Sequence, residues 1–405
     1  MNAPPSTPTP PPASYRSVLA VGEFRAVFAA EILAVLGQVA AQLTLSVLVY
    51  GRTGSPLLSA LVFALGFLPH LFGAALFSSI TDRLPARPLL AVTALVQSAT
   101  LAAMAIPGLP IPILLLLLLL SGTIAPLYQG TRAAMLPDVL PGDGYPLGRS
   151  LLRMAGQTAQ IAGFAFGGAL LALVGPATAL LIGGGALAVS ALLMWTGVRH
   201  RPARGSGAGR SLTRESLAGG ARVLRSPELR RLLALSCLPP ALAVTPEALA
   251  VPLTDASGGG PAQAGMLLAA LPVGMIVGEL TAGSLLSART RARLAVPMAF
   301  GVFATMPLFL FAPGTTATVL LLLPCGLGFA YTLGLDRLVL DATPDEARGA
   351  VLTLFSATTM VAQGLGYAAA GALAELLPSH MVVAVAGVCG IAVVALAGRR
   401  PRRAG

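Results

Sequence analysis

The sequence predicts an all-α membrane protein of twelve transmembrane helices in two pseudo-symmetric six-helix bundles. Three observations carry that prediction: an apolar composition, twelve separable apolar runs, and sequence echoes at a nearly constant offset. Of 405 residues, 56% are hydrophobic and 10% charged, with a mean hydropathy of +0.83. A soluble chain of this length would need more charge to cover its surface, whereas apolar runs of about 20 residues cross a hydrocarbon core of about 30 Å as helices. The net charge of +11 then concerns which side of a bilayer the arginines occupy; no nucleic-acid partner is implied.

The opening residues, MNAPPSTPTPPPASYR, are too proline-rich for a helix and lack a signal-peptide core, so 1–23 reads as a disordered cytoplasmic tail. Apolar length and Gly/Pro/charge punctuation place six spans at about 25–49, 57–80, 88–107, 111–131, 150–174 and 177–198, an N-terminal bundle over 24–198. RHRPARGSGAGRSLTR opens a cytoplasmic linker over 199–228. Six more spans, at about 229–251, 263–286, 293–312, 316–338, 350–374 and 380–398, form a C-terminal bundle over 229–398, and 399–405 is a basic cytoplasmic tail. All 26 basic residues are arginine, and a cytoplasmic N-terminus puts every one of them except Arg52 on the inside. That bias predicts both termini in the cytoplasm.

The halves look like copies. EFR at 23–25 recurs as ELR at 228–230, DRLPAR at 82–87 as the weaker ARTRAR at 288–293, and PD at 137 again at 344, with offsets of 205, 206 and 207. Three ordered matches are what a duplicated six-helix unit gives, and two packed halves imply a cleft between them. The cysteines Cys237, Cys325 and Cys389 stand singly in apolar segments, without metal or disulfide spacing. No nucleotide, metal or nucleophile motif is present, so neither cofactor nor catalytic residue is expected. Energy must come from an ion gradient or from the substrate's own gradient.

GAALFSSITDRLPARPLL between spans two and three, YQGTRAAMLPDVLP after span four, GARVLRSPELRRLL entering span seven and TPDEARGAVLTL before span eleven resemble the major facilitator superfamily. Within it they are similar to the drug:proton antiporter branch that holds enterobactin-exporter-like and macrolide-efflux proteins. The chain departs from that pattern at Phe164 in GFAFGG, where proline is usual, and at Pro126, where many members carry arginine. The resemblance implies a monomeric two-bundle rocker of the bacterial cytoplasmic membrane that shows a central cavity to each side in turn. It also puts Asp82, Arg83 and Arg87 on the acidic and basic positions of a gating loop, with Arg132 and Asp138 as neighbours.

Ionisable side chains inside spans are costly, about 2.5–3.5 kcal/mol even on insertion scales, and point to an internal pathway. A carboxyl shielded from water tends to give up its charge, and proton coupling needs a group that takes and releases a proton there. Glu279 in LPVGMIVGELTAGSLL is the first candidate, with Glu31 and Glu247 behind it. Helix packing is the alternative role for Glu279. Glu31, Gln38, Gln42 and Ser46 share an arc of about 80° on span one, fit for lining a cavity or for binding neighbouring helices. Arg153, Gln157 and Gln160 of span five and Ser356, Thr359, Gln363 and Tyr367 of span eleven line up likewise. Tyr331 reads as cavity lining and His70 as packing. The function expected is proton-coupled export of a small amphipathic compound, a drug, siderophore or secondary metabolite; a lipid or lysolipid flippase and a non-transporting membrane sensor are the alternatives.

Overall fold

The structure, a computed structural model, describes residues 14–67, 84–202, 223, 225–344 and 347–398. Every regular element among them is a helix. Span one is Gly22–Thr53, the described part of span two Pro56–Phe67, span three Ala86–Met104 and span four Ile111–Val139. Spans five and six form one run, Gly144–Gly197, interrupted at Gly175 (φ 76°, ψ 170°) ahead of Pro176. Proline lacks an amide donor and pushes its predecessor out of the α region, and glycine takes a positive φ without a Cβ clash. Span seven is three pieces, Pro227–Ala243, Thr245–Ala248 and Ala250–Ala256, with a bend of 41°. Pro239, Pro240, Pro246 and Pro252 withhold the amides that would keep it straight.

Span eight is Pro261–Leu285; span nine runs Ala288–Gly301 and ends in a 3-10 turn, Met306–Phe311. Span ten is Thr315–Gly328 and Tyr331–Asp341, span eleven Arg348–Ala374 and span twelve Ser379–Gly398. Among the described residues, nine helices are long and apolar enough to cross a membrane. One of them is the run that Gly175 divides into two spans; bent span seven and the shorter described part of span two complete the twelve. The expected disordered tail is corrected at Tyr15–Ala20, a short helix that Ser14 and Ser17 nucleate with a reciprocal capping box.

The spans alternate in direction, so one end of the molecule collects Arg87, Arg132, Arg201, Arg231 and Arg291, and Arg52 marks the other. Toward the Arg52 end, Leu43, Ala60, Phe63 and Phe164 of the N-terminal half share one buried cluster with Phe303, Phe329 and Tyr367 of the C-terminal half. Toward the arginine-rich end the N-terminal half keeps a core of its own, built on Phe24, Leu90, Met135, Leu152 and Met194. The halves thus share buried apolar contacts toward the Arg52 end.

Two seams seal the closed end. Span five meets span eight at Gly168 and Gly265, where any Cβ would overlap the carbonyl oxygens of Pro261 and Phe164. Span eleven meets span two at Gly371, where a Cβ would lie 2.8 Å from the Leu57 Cα. One turn on, Glu375 accepts hydrogen bonds from the Ser55 hydroxyl and from the Leu57 amide at 3.0 Å, at the first turn of span two. A carboxylate there satisfies orphan amides and suits the helix dipole.

Candidate functional site

Between the seams and the arginine-rich end lies a cavity of about 150 Å³. Its polar wall is Gln157 and Gln160 of span five, Glu247 of span seven, and Gln363 and Tyr367 of span eleven. The glutamines of span five stand three residues apart, and Gln363 and Tyr367 four apart, so each pair shares one helix face. Phe67, Met275 and Phe329 supply apolar surface opposite. A wall that mixes amides, an acid and aromatic faces suits an amphipathic guest.

Glu247 sits in the short middle piece of span seven, where the proline breaks turn its side chain into the cavity. It is hydrogen-bonded to Tyr367. The Tyr367 ring stacks on Phe63 and Phe67 of the opposite half, at centroid distances of 5.5 and 5.3 Å. Glu247, the one acid among the described residues of the cavity wall, is thus tied to an aromatic contact between the halves.

Glu279, the first candidate by sequence, is elsewhere. It lies 3.6 Å from Arg153, linking spans eight and five across the halves at the arginine-rich end, with side chains 19% and 67% exposed. Fourteen residues back along span eight and fifteen on along span five, the same two helices touch backbone to backbone at Gly265 and Gly168; here a long arginine side chain reaches across. Arg153 also acts electrostatically on Asp336 of span ten, a residue that sequence reasoning missed. Asp336 lines a second cavity of about 190 Å³ together with Ser236 and Thr359. Its signal was a lone acid in YTLGLDRLVL, hidden by the neighbouring charges Arg337 and Asp341, which make the segment look interfacial.

The polar stripe of span one binds neighbouring helices. Glu31 pairs with Arg132 of span four, Gln38 donates to Gln97 of span three, and the Ser46 and Ser59 hydroxyls are 2.7 Å apart. Gln42 lies against Gly66. The cavity-lining expectation for Gln38 is therefore corrected, because this part of span one turns onto its own bundle, where the side-chain amide finds a partner that lipid cannot offer. Tyr331 is corrected too: it is 1% exposed, and its hydroxyl donates to the Leu235 carbonyl at 3.1 Å. Packing against Phe329 leaves it in the core of the C-terminal half.

Of the gating residues, Arg87 lies 4.7 Å from the centre of the Trp195 ring, a cation–π contact between spans three and six. The Asp138 carbonyl accepts from Arg201 at 3.5 Å, and Arg201 also pairs with Glu23 at the start of span one. That hydrogen bond to Glu23 holds the Arg201 proton more firmly than in free arginine. Asp82, Arg83 and His70 lie outside the described residues. Among the described residues no group of three or more His, Cys, Asp or Glu could hold a metal.

No curated protein sequence matches the chain. Solved structures do. A nucleoside transporter, NupG, aligns with a TM-score of 0.74 and 16% identity over 92% of this chain and 98% of its own. A bacterial homologue of the lysosomal transporter Spinster, inward-facing and unoccupied, aligns at 0.64 and 15% over 96% and 95%. A bacterial homologue of the iron transporter ferroportin, inward-facing, aligns at 0.64 and 18% over 93% and 99%. These likenesses establish the fold. The Major Facilitator Superfamily family model matches residues 27–335, from the first span into the tenth, and that match places the chain: it belongs to the Major Facilitator Superfamily and is a membrane transporter, not an enzyme.

Proposed function

We propose that this transporter is a proton-coupled exporter of small amphipathic compounds that works as a monomer by alternating access, with Glu247 carrying the proton. The observation that carries this reading is the contrast among the three acids that the sequence singled out. Glu31 and Glu279 each stand beside an arginine, a fixed cation that already answers their charge. Glu247 meets a neutral phenol in the wall of the central cavity. A group with no fixed cation can change charge as water or substrate reaches it, and its link to Tyr367 hands that change to a contact between the halves.

The arginine distribution supports an arginine-rich end in the cytoplasm of a bacterial inner membrane, with both termini there. In this reading the described state is shut at the Arg52 end, with the Arg153–Glu279 pair still spanning the cytoplasmic end. Asp82, Arg83, Arg87, Arg132 and Asp138 act around the cytoplasmic gate, with Arg153 and Glu279 as its bridge between the halves. The direction of transport rests on the resemblance of the loop motifs to efflux proteins.

Substrate-driven proton movement in proteoliposomes tests the proposal, with compounds first selected by a binding screen. Wild type is expected to move protons; Glu247→Gln is expected to bind substrate yet move none, while Glu279→Gln still couples. Coupling that survives Glu247→Gln removes Glu247 from the role, and substrate flux without proton flux in wild type removes the antiport reading.

A further inference from the structure

We propose that the second cavity is a subsite for the ammonium group of a small organic monocation, with Asp336 as its counter-charge. The proposal rests on the reading of the chain as a transporter of amphipathic compounds and narrows their class; proton coupling is not required for it.

The cavity belongs to the C-terminal half alone, between spans seven, ten and eleven. Among the described residues its polar groups are one carboxylate, Asp336, and three hydroxyls, Ser236, Ser356 and Thr359, with no basic side chain in the wall. The hydroxyls of Ser236 and Thr359 are 3.2 Å apart, and Thr359 also donates to the Ser236 carbonyl at 3.2 Å, so these oxygens are held in place. Phe355 offers an aromatic face, and Val339 and Met360 apolar walls. An ammonium brings charge to the carboxylate, hydrogens to the hydroxyl oxygens and attraction to the ring. An anion or a neutral guest would cover Asp336 without matching its charge.

A charge count across the cleft points the same way. Arg153 is the cation acting on Asp336 and is also the partner of Glu279 at 3.6 Å. Arg153 pairs with Glu279 and reaches Asp336 only through its longer-range field, so Asp336 has no ion-pair partner among the described residues and a monocation would supply one.

The test uses the full-length protein in nanodiscs at low salt, with 2-phenylethylamine, a monocation at neutral pH, and its neutral isostere 2-phenylethanol. Wild type is expected to bind the amine about tenfold tighter than the alcohol, and Asp336→Asn to bring the two within about twofold without weakening the alcohol. Ser356→Trp, which fills the cavity and keeps the acid, should abolish the preference as well, and it serves if Asp336→Asn does not fold. Equal affinities in wild type, or a preference that survives either variant, overturn the proposal. So does a preference lost in Glu247→Gln, which would put the cation in the central cavity. Proton flux can fail without changing these ratios, so the two proposals fall separately.

Discussion

Glu31 and Glu247 show how much a carboxyl's role depends on its neighbour. Glu31 and Arg132 are an ion pair with side chains 11% and 19% exposed, and removing one partner of a buried pair strands the other charge. Glu31→Gln is therefore expected to destabilise the protein by about 3 kcal/mol, and Glu31→Gln with Arg132→Met to restore most of that. Thermal unfolding in detergent measures both; an unchanged midpoint in the single variant would show that the pair bears no stability. Glu247→Gln, an isostere of the protonated acid beside a phenol, should leave the midpoint in place. The sequence marked all three acids as costly, since charge in an apolar run is visible without a fold. It did not say which of them meets an arginine, because periodicity reveals a face and not what covers it. Asp336 escaped notice because a charge a turn and a half from the end of a span has a solvated reading as well.

At the scale of the element, breaks were more legible than neighbours. Gly175–Pro176 acts locally, and the structure interrupts the run where the sequence parted spans five and six; span seven, read as one run over 229–251, breaks at its prolines. The stripe on span one was also correctly periodic, yet its partners on spans two, three and four depend on how the bundle closes. GFAFGG shows a third case, a glycine cluster whose meaning is distance. Gly168 lets span five touch span eight, so Gly168→Val should push the halves apart at the closed end. Nitroxides at Thr53 and Leu377, in a cysteine-free background, should report longer distances in this variant than in wild type. Gly185→Val is the control for adding a β-branched residue to a helix, since nothing lies within 4 Å of a Cβ there. If both variants shift alike, or neither does, the seam is not what holds that end shut.

For the whole molecule, the two ends are fastened by different physics. The closed end is packed backbone to backbone and capped by Glu375, whereas the arginine-rich end has the Arg153–Glu279 bridge, with Arg153 67% exposed. A solvated pair of this kind contributes at most about 1 kcal/mol, or about fivefold in the balance of two states. Weakness suits a bridge that must break in every cycle: a latch of about 5.5 kcal/mol would shift two states by about 10⁴ and trap one of them. Being exposed, the pair is also screened by salt. Spin labels at Ser150 and Leu285 should therefore separate when salt is raised to about 0.5 M, where charges act over only a few ångströms. Arg153→Ala should produce the same separation at low salt, and added salt should then change nothing further. If salt widens the Arg153→Ala distances as much as those of wild type, the charges that hold this end lie elsewhere, and the bridge is a contact without a gating role.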